Sequence, residues 1–339
     1  MLDCSSNRES QFTYSFADPG IPWLQSVLNP SEVREYLLPV LPSYFGEIQD
    51  IQFQMLQHYC GKRGTLNISL QTTNGQHEVI GKIYAADRAD VYEAMKEISR
   101  AGFGPEMEFC IPQPLAYVPE LHFLLQEKVY GKPATEIFSD GGKRKQASAA
   151  ARCAKWIARF HELGPTSGPV FVLNDELLNH WMYRLAKRAG PQGHFLHKAA
   201  LLLEQLEIAA LAVDCPEMCA CHGSYSPPQI ILSGARTAIF DWDSYCVADP
   251  TWDVAKFIVK LQQLALESHG SRKALDAAIQ VFYETYTTES RFEVGKYLPF
   301  YKAALCLRRA KRELRLNRGR LEKAEAMLDE GLRILTEEV

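Results

Sequence analysis

Polar and apolar residues alternate along three consecutive segments of the chain, at residues 52–57, 66–70 and 78–84. Alternation with a period of two is typical of β-strands that bury one face. Asn74-Gly75, between the second and third segments, is a strong signal for a tight hairpin turn. The pattern therefore predicts an antiparallel three-stranded meander over residues 52–84, with the glycine-containing loop 60–64 between its first two strands.

The chain changes to a helical pattern after a strand predicted at 121–127. A helix is first expected over 87–100, with Asp87 or Asp90 as its cap, and further helices over 147–163, 199–213, 250–268, 272–287 and 301–335. Two short strands, 229–232 and 238–240, interrupt this half. Residues 1–30 are polar, contain Pro19-Gly20 and Pro22, and are predicted to hold little helix. We predict an N-terminal extension at 1–50, a sheet-containing lobe at 51–130 and a helical lobe at 131–339.

The composition is that of an ordinary globular protein, and it limits the classes of function. The 339 residues are 47% hydrophobic and 23% charged, enough chain for two domains or one bilobal unit. The net charge of −4 gives no general positive field for nucleic acid. Apolar runs fall short of the ~20 residues that span a bilayer, and the N-terminus lacks the pattern of a signal peptide. Nine cysteines without a framework spacing predict reduced thiols in a cytoplasmic protein.

The most informative stretch lies in the second half, where three short motifs follow one another. They read CHGSYSPPQIIL at 221–232, FDWD at 240–243 and ADPTWD at 248–253. Their order and spacing resemble the aminoglycoside phosphotransferase and choline kinase family, a branch of the protein-kinase-like fold. That family is similar in having His-Gly-Asp, four residues, an Asn and a strand, then an Asp-containing hairpin and an Asp-Pro segment. The resemblance is specific over residues 221–255 and weaker over 50–335.

The resemblance implies an α+β fold of the protein-kinase-like, bilobal type. A small antiparallel-sheet lobe would precede a larger, mostly helical lobe, with a ligand cleft between them. It also implies transfer of phosphate from ATP or GTP to a hydroxyl of a small molecule, a reaction that needs magnesium and a cation on the phosphates. Because magnesium prefers hard oxygen ligands, Asp241 is the expected metal ligand, with Gln229 as a second. A hairpin aspartate that only caps a turn is the alternative for Asp241.

Lys82, on the third strand, is expected by the same resemblance to pair with the nucleotide phosphates; its alternative is a solvated strand lysine. The following helix offers Glu93, and less favourably Glu97, as the carboxylate that holds this lysine. Asp90 and Glu93 also fit a capping box, which would explain Glu93 without a function. The other residues expected to bind the nucleotide lie in the 60–64 loop and in the connector near residue 128: Lys62, Arg63, Gln126, Glu127 and Val129.

Two replacements depart from the family pattern. Ser224 stands where the family has its catalytic Asp, and Gln229 stands where it has a metal-binding Asn. A serine cannot act as a carboxylate base, and loss of a general base typically costs ~10²–10⁴ in rate. Asp243 is the nearby carboxylate that could compensate, or it is a further metal ligand, whereas His222 is expected to pack behind the loop. Two functions stay open: a phosphotransferase that uses Ser224 and Asp243, and a pseudokinase that binds nucleotide or metabolite and acts by interaction.

Two further patterns suggest other chemistry. Cys215, Cys219, Cys221 and His222 could suggest zinc, but no second cysteine pair accompanies them as structural zinc sites require. Residues 302–323 hold nine Lys or Arg against two Glu. Such a run is usually a solvated helix face. If part of it faces the cleft instead, it would favour an anionic acceptor over a polycationic aminoglycoside.

Overall fold

The computed structural model describes residues 17–213, 217–316 and 321–337. The chain divides into two compact units. The sheet unit holds the residues up to Tyr92 together with Gln113–Lys128, and the helical unit holds Glu93–Pro112 and the residues from Val129 onward. Across the described ranges, no helix combines the length and the apolar character that crossing a membrane requires.

The strands and α-helices of the described residues are as follows in chain order. The strands are β1 (Ile48–Tyr59), β2 (Arg63–Thr72), β3 (Gly75–Tyr84), β4 (Phe109–Cys110), β5 (Pro114–Val118), β6 (Phe123–Glu127), β7 (Lys132–Pro133), β8 (Cys219–Cys221), β9 (Ile230–Ser233), β10 (Arg236–Ile239) and β11 (Cys246–Ala248). The helices are α1 (Leu24–Leu28), α2 (Pro30–Leu37), α3 (Ala89–Ile98), α4 (Ala134–Asp140), α5 (Lys143–Leu163), α6 (Asp175–Ala189), α7 (Gly193–Ala210), α8 (Thr251–His269), α9 (Asp276–Glu289), α10 (Leu298–Leu316) and α11 (Leu321–Glu337).

The sheet unit is built on a five-stranded sheet in the order β1-β2-β3-β6-β5, with antiparallel neighbours throughout. The predicted meander is present as β1–β3, and the turn before Gly75 closes the second hairpin. In β2, Leu66, Ile68 and Leu70 are fully buried, as the alternation predicted. The sheet therefore buries one face against the core that the alternating residues build.

The segment before β1 contributes to this core. The described residues before residue 30 hold one short helix, α1, in keeping with the prediction of little helix there. Ile21, Leu24 and Val27 are buried with the apolar residues of the sheet. Their spacing of three residues is that of a helical apolar stripe.

The helical unit contains two small sheets among its helices. One has the order β4-β10-β9-β7 and the other pairs β11 with β8. The single helix predicted over 301–335 is two helices, α10 and α11, and the helix predicted from 272 starts as a 3₁₀ turn before α9. Helix α6 was missed, although Leu178, Trp181 and Leu185 form a buried stripe and Asn174 caps it by accepting from Leu177 N.

Candidate active site

Short strands of the helical unit bring the motif at 221–232 next to the motif at 240–243. Strand β8 leads into the loop that starts at His222, and β9 begins after this loop at Ile230. Strand β10 pairs with β9 and is followed by Asp241. On the other side, Cys221 pairs with Cys246 of β11. The loop and the turn after β10 are therefore neighbours.

Gly223 fixes how closely the loop packs on that turn. Its φ is +72°, and a Cβ placed there would lie 1.9 Å from the Ser244 carbonyl oxygen. The Gly223 carbonyl oxygen accepts from Trp252 Nε1 at 3.2 Å and from Lys256 Nζ at 2.5 Å. Asp253 Oδ2 accepts from the His222 backbone N–H at 2.6 Å. Helix α8 thus holds the loop from one side and the turn confines it from the other.

Ser224 is part of a directed hydrogen-bond chain. Its Oγ lies 3.1 Å from His222 Nδ1 and 3.1 Å from Gln229 Nε2. His222 Nε2 lies 3.1 Å from the Phe240 carbonyl oxygen, which can only accept, so Nε2 carries the proton and Nδ1 is an acceptor. Burial lowers the pKa of His222, which keeps the imidazole neutral. The Ser224 hydroxyl therefore donates to His222 and accepts from Gln229.

Asp241 and Gln229 are adjacent, as their proposed metal-binding role requires. Gln229 Nε2 lies 3.4 Å from Asp241 Oδ2, while Gln229 Oε1 accepts from Ser226 Oγ at 2.7 Å. The side-chain oxygen of Gln229, Oε1, therefore points away from Asp241. A half-turn of the side-chain amide would exchange Oε1 with Nε2 and bring the oxygen toward Asp241. Asp241 is half-buried and has a left-handed backbone (φ 72°, ψ 60°), which is uncommon outside glycine and concentrates at functional sites. Asp243 is half-buried in the 3₁₀ turn that follows.

A buried ion pair supports the loop from behind. His161 Nε2 lies 3.6 Å from Asp253 Oδ2, and His161 Nδ1 lies 2.8 Å from the Tyr286 hydroxyl. Burial alone would lower the pKa of His161, but Cys219 and Asp253 outweigh it and raise this pKa. Burial alone would raise the pKa of Asp253, but His161 outweighs it and lowers this pKa. Each shift of pKa favours the charged form of its group, and Asp253 can hold the loop as a carboxylate.

Two cysteines of β8 complete this buried network. Cys219 Sγ lies 3.9 Å from Cys221 Sγ, which in turn lies 3.9 Å from His161 Nε2. These three ligand atoms all lie within 4.8 Å of one another. The cysteine and histidine pattern at residues 215–222 does not include His161, which lies 60 residues before Cys221 in the chain. Since both ring nitrogens of His161 face protein partners, the network is satisfied without an ion. Cys215 lies outside the described residues.

Lys82 and Gln126 are buried in the five-stranded sheet. Lys82 is 5% exposed and is opposite Thr65 on β2 and Leu124 on β6. Gln126 is 4% exposed on β6, and Glu127 Oε2 accepts from Gln113 N at 3.0 Å. Val129 falls in the helical unit and is half-buried. A buried strand lysine is unlike the solvated lysine that was the alternative.

Asp18 holds the 60–64 loop, although no pattern in the sequence indicated this carboxylate. Asp18 Oδ2 accepts from Gly61 N and lies at hydrogen-bond distance from His58 Nε2, each at 2.8 Å. The hydrogen bond from Gly61 lowers the pKa of Asp18. Lys62 is exposed, and Arg63 lies over the Tyr59 ring at 5.3 Å. The Lys62 side chain is therefore accessible to solvent and that of Arg63 partly so, whereas the Gly61 N–H already donates to Asp18.

Glu93 has a partner on its own helix. Lys96 Nζ lies 2.9 Å from Glu93 Oε2, and the Glu93 side chain is 58% exposed. The capping box of Asp90 and Glu93 is wrong: Asp87 Oδ1 accepts from the N–H of residue 89 at 2.9 Å, and Asp90 pairs with Arg88 instead. The alternative carboxylate, Glu97, accepts from the Ser167 hydroxyl.

A model of the phosphotransferase enzyme family matches residues 64–292, more than half of the chain. This chain belongs to that family. Its fold is similar to a choline/ethanolamine kinase family protein from Mesorhizobium loti, with 17% identity, coverage of 90% of this chain and 97% of the other, and a TM-score of 0.61. A choline kinase from Cryptosporidium parvum is similar with 10% identity, coverage of 91% and 95%, and a TM-score of 0.63.

An aminoglycoside phosphotransferase in a ternary complex with ADP and hygromycin B has 14% identity, coverage of 89% and 98%, and a TM-score of 0.61. None of the curated protein sequences matches this chain. At these identities the solved structures establish the fold. The predicted α+β, kinase-like fold, with an antiparallel sheet in the N-terminal region and helices in the C-terminal region, is confirmed.

Proposed function

We propose that this phosphotransferase-family chain moves the terminal phosphoryl group of ATP or GTP, with magnesium, to a hydroxyl of a small molecule. One observation carries the proposal: a single amide, that of Gln229, lies 3.1 Å from Ser224 Oγ and 3.4 Å from Asp241 Oδ2. The position that orients the acceptor and the position that binds metal in the resembling family are thus neighbours here. The family match supports the reaction type.

The residues after β10 fit a magnesium ion. Asp241 supplies a half-buried carboxylate, Asp243 supplies a second two residues later, and Gln229 supplies an amide oxygen after the half-turn described above. All three are hard oxygen donors, which magnesium prefers. A bound magnesium ion would neutralise charge on the phosphates.

Ser224 and His222 provide a path for the acceptor proton. As the acceptor oxygen bonds to phosphorus and the bond to the leaving nucleoside diphosphate breaks, the acceptor proton moves to Ser224 Oγ. The Ser224 proton moves to His222 Nδ1, which is a free-base nitrogen 3.1 Å away. His222 becomes an imidazolium whose Nε2–H continues to donate to the Phe240 carbonyl oxygen. The serine thereby relays a proton that it could not hold itself.

For the nucleotide we propose Lys82 as the phosphate-binding cation, with Lys62 and Arg63 as further cations. Gln126, Glu127 and Val129 are proposed to contact the nucleotide in the connector. Glu93 is left out of this proposal because Lys96 already holds it on an exposed surface. The buried position of Lys82 supports its role, since a lysine is rarely so buried without a functional or ionic reason.

A pseudokinase is the second candidate function, and Ser224 in place of a carboxylate favours it. The two functions separate in one set of measurements on the purified chain. Thermal unfolding is followed with ATP and with GTP, with magnesium or with EDTA; a ligand at 100 times its Kd adds ~2.7 kcal/mol of stability. ADP or GDP release is then measured with neutral, anionic and cationic hydroxyl compounds as acceptors.

The phosphotransferase predicts a nucleotide-dependent shift and acceptor-dependent release of diphosphate. Ser224→Ala and His222→Gln should each reduce kcat by ~10² or more, because they break one relay. Ser244→Ala is the matched control, since its side chain is exposed on the same turn. A shift without release for any acceptor supports the pseudokinase. No shift with either nucleotide overturns both.

A further inference from the structure

Three cations of the helical unit lie over two tryptophan rings beside the Ser224 loop. The Arg308 guanidinium carbon lies 5.5 Å from the Trp181 ring centroid and 5.4 Å from that of Trp252. Lys256 Nζ lies 5.0 Å from the Trp252 centroid, and Lys311 Nζ lies 5.1 Å from the Trp181 centroid. Helices α8 and α10 supply the three cations, which we name the cation cluster (Lys256, Arg308, Lys311), and α6 supplies Trp181.

The cation cluster is joined directly to the loop. Lys256 Nζ donates to the Gly223 carbonyl oxygen at 2.5 Å, and Trp252 Nε1 donates to the same oxygen at 3.2 Å. Ser224 is the next residue along the chain. Lys256 thus contacts the residue that precedes the proposed acceptor position, which places the cation cluster next to Ser224 along the loop.

The cation cluster has no direct ion pair. In the described ranges, no carboxylate lies within 4.0 Å of a charged nitrogen of Lys256, Arg308 or Lys311, and Asp253 acts on Lys256 only over a longer distance. The adjacent Arg309 differs, because its Nη2 pairs with Glu313 at 2.5 Å. Burial, and then Arg308, lowers the pKa of Lys256 well below its usual value. Burial, and then neighbouring arginines, lowers the pKa of Lys311 to about 8.

Arg308 lies close to two indole rings, and these contacts do not use its N–H donors. A guanidinium carries five N–H groups in one plane and can contact an aromatic ring while those groups donate elsewhere. None of these groups donates to an acceptor within the part of the chain that the structure describes. This fork geometry matches the two oxygens of a carboxylate or phosphate. Stacking alone accounts for the position of the arginine but not for the accumulation of like charges around it.

We infer that the acceptor carries an anionic group, a carboxylate or a phosphate, which the cation cluster binds while the acceptor hydroxyl contacts Ser224. The inference rests on the proposed function and names its substrate class. An anion there would favour the charged forms of the two lysines and accept hydrogen bonds from the N–H groups of Arg308. A cationic amino alcohol or aminoglycoside would instead be repelled by the Arg308 guanidinium.

The binding test uses no nucleotide, so that it is independent of turnover. Binding of D-gluconate and of inorganic phosphate to the full chain is measured by calorimetry and thermal shift, with D-glucitol as the uncharged match and chloride keeping ionic strength constant. Both anions should bind saturably and glucitol should not. Arg308→Gln should weaken anion binding by ~10-fold or more, since a charge-assisted hydrogen bond contributes ~1.5–3 kcal/mol.

Two variants make this test specific. Arg312→Gln removes an exposed charge from the same helix and should change the affinity by less than ~3-fold, because solvent screens exposed charges. Arg308→Lys retains the charge without the planar fork and should bind anions with intermediate affinity. It also keeps the test valid if Arg308→Gln fails to fold. Anion binding that is absent, not saturable or equal in the Arg308 variants and in wild type overturns the inference.

The acceptor test compares kcat/KM for gluconate against glucitol and for glycerate against glycerol, with choline as a cationic acceptor. The anionic member of each pair should be preferred by ~10-fold or more, and Arg308→Gln should remove that preference. Equal use of both members, or a preference for choline, overturns the inference while leaving the proposed function standing. Turnover absent for every acceptor contradicts the proposed function, and the binding test then decides the anion site alone.

Discussion

Replacing Gly223 with alanine should destabilise the helical unit by more than its backbone conformation alone explains. A left-handed φ of +72° costs an L-residue ~1–2 kcal/mol. The new Cβ would also lie 1.9 Å from the Ser244 carbonyl oxygen, so the loop or the turn must move. Overpacking of this kind costs ~1–3 kcal/mol. The two contributions give ~2–5 kcal/mol, and a protein of this size loses ~2–4 °C in Tm for each kcal/mol.

Gly234 provides the matched control for this prediction. It lies in the turn between β9 and β10 of the same unit, has a φ of +54°, and a Cβ there would meet no atom within 4 Å. Gly234→Ala should therefore show only the conformational part, ~1–2 kcal/mol. The difference between the two variants, ~1–3 kcal/mol, isolates the contact between Gly223 and Ser244.

The assay is thermal unfolding of both variants and wild type by circular dichroism, with and without magnesium and nucleotide. Because the shifted turn carries Asp241, Gly223→Ala should also lose most of the stabilisation by magnesium-nucleotide, and Gly234→Ala should retain it. Equal Tm values for the two alanine variants would refute the reasoning, because the loop would then not be confined by Ser244.

Three other results are expected. Asp241→Asn should bring nucleotide affinities in magnesium and in EDTA close to each other; a magnesium dependence like that of wild type would remove Asp241 from the metal site. Ser224→Asp replaces the proposed relay with a carboxylate, and because a positioned base is worth ~10²–10⁴, its kcat should exceed that of Ser224→Ala by ~10-fold or more; a kcat equal to that of Ser224→Ala would show that a carboxylate at this position does not accept the acceptor proton. Because the pKa of His161 is raised in the folded protein, this group stabilises the fold fully below its unfolded pKa near 6.5, and the stabilisation is lost as pH rises through the folded pKa. Tm should therefore fall with rising pH in wild type, and should fall less in His161→Gln. Identical pH profiles would contradict a charged His161–Asp253 pair.

Local patterns in the sequence predicted those parts of the fold that local interactions determine. The meander follows from period-two alternation and an Asn-Gly turn, both of which act over a few residues. The adjacency of Gln229 and Asp241 follows similarly, because a short hairpin joins them. Helix α6 is also local in origin, since its cap at Asn174 and its apolar stripe both lie within the helix sequence.

Contacts between distant parts of the chain could not be predicted in this way. His161 lies in a helix and meets Cys221, 60 residues later, only after α5 packs on β8. The basic run at 302–323 is visible in the sequence, but a count of charges does not show that Arg308 lies near two indole rings while Arg309 pairs with the buried Glu313. Neighbouring basic residues of one helix thus have different partners, which only the packing of the other helices determines.

The hydrogen bond from Gly61 to Asp18 makes the conformation of the 60–64 loop depend on a residue outside the motifs at 221–253. The family match begins at residue 64, whereas the carboxylate that holds the loop lies far upstream, in a segment that the match does not include. Substitutions near residue 18 can therefore change the shape of this loop while every motif residue stays the same. Members of the family with identical motifs could then differ in how they handle phosphates, and a comparison restricted to the motifs would not detect the difference.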